Sequence, residues 1–112
     1  MDKEQRQERQ VASPPPKDIR LREFQHWIDA IYGAKDRDRG LSGTYMWFAE
    51  ELGELTRALR RGTDTDNLKE EFADVLAWLS TLASIAGIDL QDAVEFKYGS
   101  GCPYCESVPC SC

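Results

Sequence analysis

Two short stretches of this 112-residue chain carry carboxylates in one pattern, EELGEL at residues 50–55 and EEFADV at residues 70–75. Glu50, Glu51 and Glu54 in the first are echoed by Glu70, Glu71 and Asp74 in the second. Like charges spaced i, i+3 or i, i+4 on a helix repel by roughly 0.2–0.5 kcal/mol per pair even when exposed. Crowding four of them near a core costs more, or pushes their pKa values up. A hard divalent cation offsets that cost, and Mg²⁺ prefers carboxylate oxygens. The chemistry such a cluster suits is the binding of a hard divalent cation, with Glu51, Glu54, Glu71 and Asp74 as candidate ligands.

Helical geometry decides whether these acids can meet. With about 100° per residue and Glu50 at zero, Glu54 falls near 40° and Glu51 near 100°. Phe48, Leu52, Leu55 and Leu59 fill about 140–200° on the same wheel. The second stretch repeats this, with Asp74 and Glu71 beside a stripe of Leu68, Phe72, Val75 and Leu79. Two such helices packed antiparallel along their stripes would bring the acidic arcs to one edge. The competing reading is a solvated charged face. It fits less well because basic i+4 partners are scarce: Glu71 is followed by Val75, and Asp74 by Trp78. Trp47 and Trp78 lie within the acidic arcs, at about 60° and 80°. An indole there suits either stacking on a nucleobase or covering a dimer contact.

Stepping outward from the acids, the apolar spacing predicts an all-α fold, a compact bundle of about four helices. The first helix is expected over 18–32, with Asp18 as N-cap and Gly33 as terminator. GAKDRDRGLSG (33–43) reads as a charged, glycine-rich loop. The second helix is expected from about Thr44 to Arg60 and the third from about Asn67, capped by Asp66, to Ala86, with Gly87 in the C′ position. Asp89 and Asp92 form a capping pair for a short helix over 90–98. Gly99 and Gly101 then release the chain. Residues 1–17, polar and ending in SPPPK, read as a disordered tail with a proline spacer. The domain proper is thus 18–98, and 99–112 is a separate cysteine-rich tail.

The net charge of −6 argues against a protein that coats nucleic acid by charge alone. No run of 18 apolar residues spans a membrane, and MDKEQRQERQ has no apolar h-region. A cytoplasmic location is the default expectation. All four cysteines fall in GCPYCESVPCSC, as Cys102, Cys105, Cys110 and Cys112. Four thiolates at that spacing suit a tetrahedral structural Zn²⁺, with metal binding supplying the folding free energy of a segment without a core. Two disulfides and free thiols are the alternatives, and a reducing compartment disfavours the first.

EELGE, followed by EEFADVLAWL and AGIDL, resembles the MazG-like nucleoside triphosphate pyrophosphohydrolases of the all-α NTP pyrophosphatase superfamily, whose signature is E-E-x-x-E, a spacer, then E-x-x-D. The resemblance extends over about Leu21 to Tyr98. It implies cleavage of a (d)NTP between the α- and β-phosphates, giving a monophosphate and pyrophosphate with Mg²⁺ or Mn²⁺. It also implies that Glu51, Glu54, Glu71 and Asp74 hold the metal and that Glu50 is a further ligand or the base for the attacking water. Lys97 resembles a basic family position near the substrate, and His26 lies on a helix that in relatives lines the base pocket. Arg57, Arg60, Arg61 and Lys35 are additional phosphate candidates. Relatives of this size associate as dimers or dimers of dimers. Trp27, Tyr45, Met46 and Trp47 are therefore expected at intersubunit or base-facing surfaces. The tail lies outside the resemblance, and its zinc would be structural. The rival readings are a non-catalytic helical dimer with a zinc module for partner binding, and a narrow-specificity dCTP/dUTP or phosphoribosyl-ATP pyrophosphatase.

Overall fold

A computed structural model describes residues 17–112. The expected tail over 1–17 therefore lies, save for Lys17, outside the described residues. Among the described residues there is no strand. The elements are α1 (Leu21–Arg61), α2 (Thr65–Ile85) and α3 (Leu90–Tyr98). The all-helical class is as expected, while the first two expected helices are merged into one broken element.

α1 starts at Leu21 rather than after Asp18. Its N-cap is Arg20, whose backbone N–H donates to Glu23 Oε1 at 3.3 Å. Gly33 does not end it. Gly33 is buried beneath the paired Asp29 and Arg37 side chains and keeps helical geometry. The charged run beyond it stays helical, supported by two ion pairs. Arg37 bridges back to Asp29 at 2.9 Å, and Arg39 pairs with Asp36. The break comes at Gly40, with φ 83° and ψ 177°, a region open essentially to glycine alone. Helical geometry then resumes to Arg61, and Gly62 closes the helix in the left-handed conformation.

α2 is capped by Asp64, whose carboxylate accepts from the Asn67 N–H at 3.0 Å, two residues before the expected Asp66. Its C-terminus matches the reading of Gly87. Ile88 N–H donates to the Ala83 carbonyl at 2.8 Å and Gly87 N–H to that of Ser84 at 3.1 Å, with Gly87 at φ 74°. These are the paired bonds of a Schellman ending. Asp89 caps α3 through the Asp92 N–H at 2.9 Å, as expected.

α1 packs mainly on α2, and α3 docks back on α1 through polar contacts. Gln25 is buried and fully used. Its amide donates to Ser84 Oγ and the Ile88 carbonyl and accepts from the Leu90 N–H. Arg22 bridges Asp89 at 2.9 Å and Asp92 at 2.6 Å. Among the described residues the apolar core is thin, its buried apolar side chains being Ile28, Ala58 and Ala83. Leu52, Leu59, Phe72 and Leu79 of the two stripes, with Leu76 beside them, keep 38–53% of their surface exposed. A closed bundle would cover them, and the other described residues do not.

Candidate active site

Glu51 and Glu54 stand one turn apart on the second half of α1, and Glu71 and Asp74 one turn apart on the first half of α2. The α1–α2 packing brings Glu51, Glu71 and Asp74 together, one oxygen of each lying within 4.8 Å of the other two. Glu51 Oε2 and Glu71 Oε2 are shielded from water and have no hydrogen-bond partner. Such orphaned acceptors are rare in folded proteins and costly without compensation. Burial, followed by the charges of Glu54, Asp74 and Glu71, holds the Glu51 carboxyl above the usual range. Burial and the charges of Glu54, Asp74 and Glu70 do the same to Glu71, opposed by Arg57. Three converging carboxylates, two with unused oxygens, form an oxygen donor set of the kind Mg²⁺ and Mn²⁺ take. Glu54 is outside the trio, yet close enough to raise both neighbours. Glu50 is exposed on the same helix.

Beside the acids opens a cleft of about 560 Å³, in the range of small-molecule sites. Glu51 and Asp74 form part of its wall, with Phe24, Tyr32, Trp47 and Trp78 supplying aromatic surface and Lys35 and Arg39 positive charge. Trp47 and Trp78, foreseen on the acidic arcs, stack on each other with centroids 6.0 Å apart and planes at 11°. The Arg39 guanidinium lies 4.8 Å over the Trp78 ring.

The sequence reading missed the group that fixes this cation. Asp36 is 6% exposed and binds both Arg39 and Thr81 Oγ1, the latter at 3.1 Å. Arg39 Nε also donates to Thr44 Oγ1 at 3.2 Å, across the Gly40 break, and Thr44 is fully buried. The signal was present: Gln25, Ile28 and Asp36 share one face of an uninterrupted helix. Reading the run as a loop concealed it.

Other candidates stand apart from the cleft walls. His26 is exposed on α1, and Arg61 is exposed at its last turn. Lys97 lies on α3 with its ammonium 5.6 Å from the Tyr98 ring. Trp27 is half-buried, and Tyr45 and Met46 are exposed.

Residues 40–100 match the MazG nucleotide pyrophosphohydrolase domain, more than half of the chain. The chain belongs to the MazG family. No curated protein matches it. The matched part of this MazG chain begins at the Gly40 break and holds all of the acids, both cleft tryptophans and α3. Asp36 and Arg39 precede it, and Cys102 through Cys112 follow it.

The four thiols are unpaired and gathered at the C-terminus, each offering a sulfur within 4.8 Å of the others. Hydrogen bonds from Ser111 bring the Cys105 thiol down to about 5. The N–H groups of Cys105 and Tyr104 lower that of Cys102.

Proposed function

We propose that this MazG protein is a metal-dependent pyrophosphohydrolase that cleaves a (d)NTP between its α- and β-phosphates. The observation that carries the reading is the meeting of Glu51, Glu71 and Asp74 with two oxygens left unpartnered. Those three side chains would hold Mg²⁺ or Mn²⁺. A divalent cation bound there supplies phosphate charge neutralisation and a more acidic water. The cleft residues position the substrate. The aromatic surface of the tryptophan pair suits a base, and Arg39 and Lys35 suit phosphate oxygens. In the step itself, a water oxygen bonds to the α-phosphorus, the bond to the α–β bridging oxygen breaks, and pyrophosphate leaves. The water's proton goes to Glu54, the carboxylate that borders the trio without joining it. Phosphoryl transfer asks little more of a protein than positioning and charge stabilisation.

The half-exposed stripes support assembly as a dimer or a dimer of dimers, which closes the core beside the cleft. A panel of (d)NTPs assayed for pyrophosphate with Mg²⁺ or Mn²⁺ tests the activity and names the base. Glu54→Gln should keep Mg²⁺ binding and lose turnover. No pyrophosphate from any nucleotide, with Mg²⁺ binding intact by calorimetry, would favour the non-catalytic dimer instead.

A further inference from the structure

The cysteine tail lies outside the matched residues and takes no part in the reaction proposed above. We propose that Cys102, Cys105, Cys110 and Cys112 bind one zinc ion in a closed, structural tetrathiolate centre. With Zn–S bonds of about 2.3 Å, the sulfurs of a tetrahedral site stand about 3.8 Å apart. The Sγ atoms of Cys102 and Cys112 are 3.8 Å apart, those of Cys105 and Cys110 3.9 Å, and those of Cys102 and Cys110 3.6 Å. Cys110 and Cys112 are closer, at 3.1 Å, and a small rotation of the terminal residue opens that edge. None of these separations is a bond, which would be about 2.05 Å. Each thiol faces three others at once, and disulfide pairing does not require that.

The backbone is organised around the same centre. Glu106 N–H donates to the Cys102 carbonyl at 2.7 Å, and Cys102 N–H to that of Ser107 at 3.1 Å. Ser111 N–H points at Cys105 Sγ, 3.3 Å away. Gly101, at φ 101°, passes so close to Ser107 and Val108 that a Cβ would meet both at 2.9 Å. This is a tightly specified turn, yet it has no apolar interior. Tyr104 and Val108 are 85% and 86% exposed. An ordered segment whose large side chains face outward needs something else at its centre, and an ion held by thiolates supplies it. The spacing fits a single ion. With four protein ligands, no coordination position is left for a substrate, so the role is structural.

The test uses the full chain, expressed with zinc and purified under reducing conditions, with metal content read by mass spectrometry. We expect one zinc per chain, and loss of that zinc in Cys102→Ser/Cys105→Ser. Cobalt substitution should give the intense visible and thiolate charge-transfer bands of a tetrahedral tetrathiolate. Chelation should render the tail protease-sensitive while the helical circular dichroism persists. Cys112→Ser, altering only the last residue, gives the same readout should the double variant fail to fold. The proposal is overturned if the chain carries no zinc and its thiols resist alkylation until reduced. Iron in place of zinc overturns it equally, as does zinc retained undiminished in the cysteine variants, which would place the ion on the acids.

Discussion

Glu51 and Glu71 each carry an unpartnered, water-shielded oxygen beside other carboxylates, an unfavourable setting for two charged groups. Both carboxyls sit above their ordinary value of 4.5. Between that value and the raised one, the folded state holds protons that the unfolded state has released. Stability of the metal-free protein should therefore fall as pH rises through this window. Mg²⁺ should reverse the trend, because it takes the place of the protons. Thermal melts across pH with EDTA or with Mg²⁺ check both signs. Glu51→Gln should melt higher than the parent in EDTA, gain nothing from Mg²⁺, and lose on the order of a hundredfold or more in kcat/KM. A parent and variant stabilised equally by Mg²⁺ would contradict the assignment. Arg39 makes a second prediction at this scale. Arg39→Ala strands the buried Asp36 with Thr81 alone and should cost about 2 kcal/mol in denaturant unfolding. Arg39→Lys keeps the charge but not the fork or the stack on Trp78, so it should raise KM for the nucleotide more than it lowers kcat.

At the scale of elements, the Gly40 break and the α3 dock decide where the site residues stand. Gly40 has free space around it, nothing lying within 4 Å of an added Cβ. The requirement is conformational, and Gly40→Ala should destabilise by about 1–3 kcal/mol. A melting temperature unchanged by that substitution would mean that α1 can run straight. α3 is tied down by Arg22 and Asp89, and the Arg22 guanidinium, followed by the Asp92 N–H, holds the Asp89 carboxyl below its ordinary 3.8. That contribution is present above pH 3.8 and is lost as pH falls through the lower folded value. Asp89→Asn keeps an N-cap acceptor and removes the charge. It should be less stable than the parent at neutral pH, with the gap closing in acid. The caps at Asp89 and Gly87 were legible in sequence because they act within a few residues, whereas the N-caps expected at Asp18 and Asp66 fall at Arg20 and Asp64. The extent of α1 was not legible, because Gly33 and Gly40 look alike in sequence, while in the fold Gly33 keeps helical geometry and Gly40 turns to φ 83°.

At the scale of the whole molecule, the described residues of one chain leave an apolar stripe half open. Leu52, Leu59, Phe72, Leu76 and Leu79 carry the helical periodicity of a core yet stay 38–53% exposed. Withdrawing each from water contributes on the order of 1 kcal/mol, so covering the stripe is a strong drive to associate. Light scattering after size exclusion should give a dimer or a multiple of it. Phe72→Glu should shift the mass toward the monomer, lower the melting temperature and reduce activity together. A monomeric parent at micromolar concentration would count against assembly.

Residue order was enough for the helical class, the doubled acidic motif, the N-cap of the short last helix and the grouping of the cysteines. Each of these rests on spacing along a helix or a turn, and spacing is written in residue order. Tertiary structure alone decided that Glu51, Glu71 and Asp74 form the close trio while Glu54 borders it. It also decided that Asp36 fixes Arg39 over Trp78, and that the apolar stripe is left partly open. Those depend on how far α1 continues and how it rotates against α2. Side chains tens of residues apart settle that by packing.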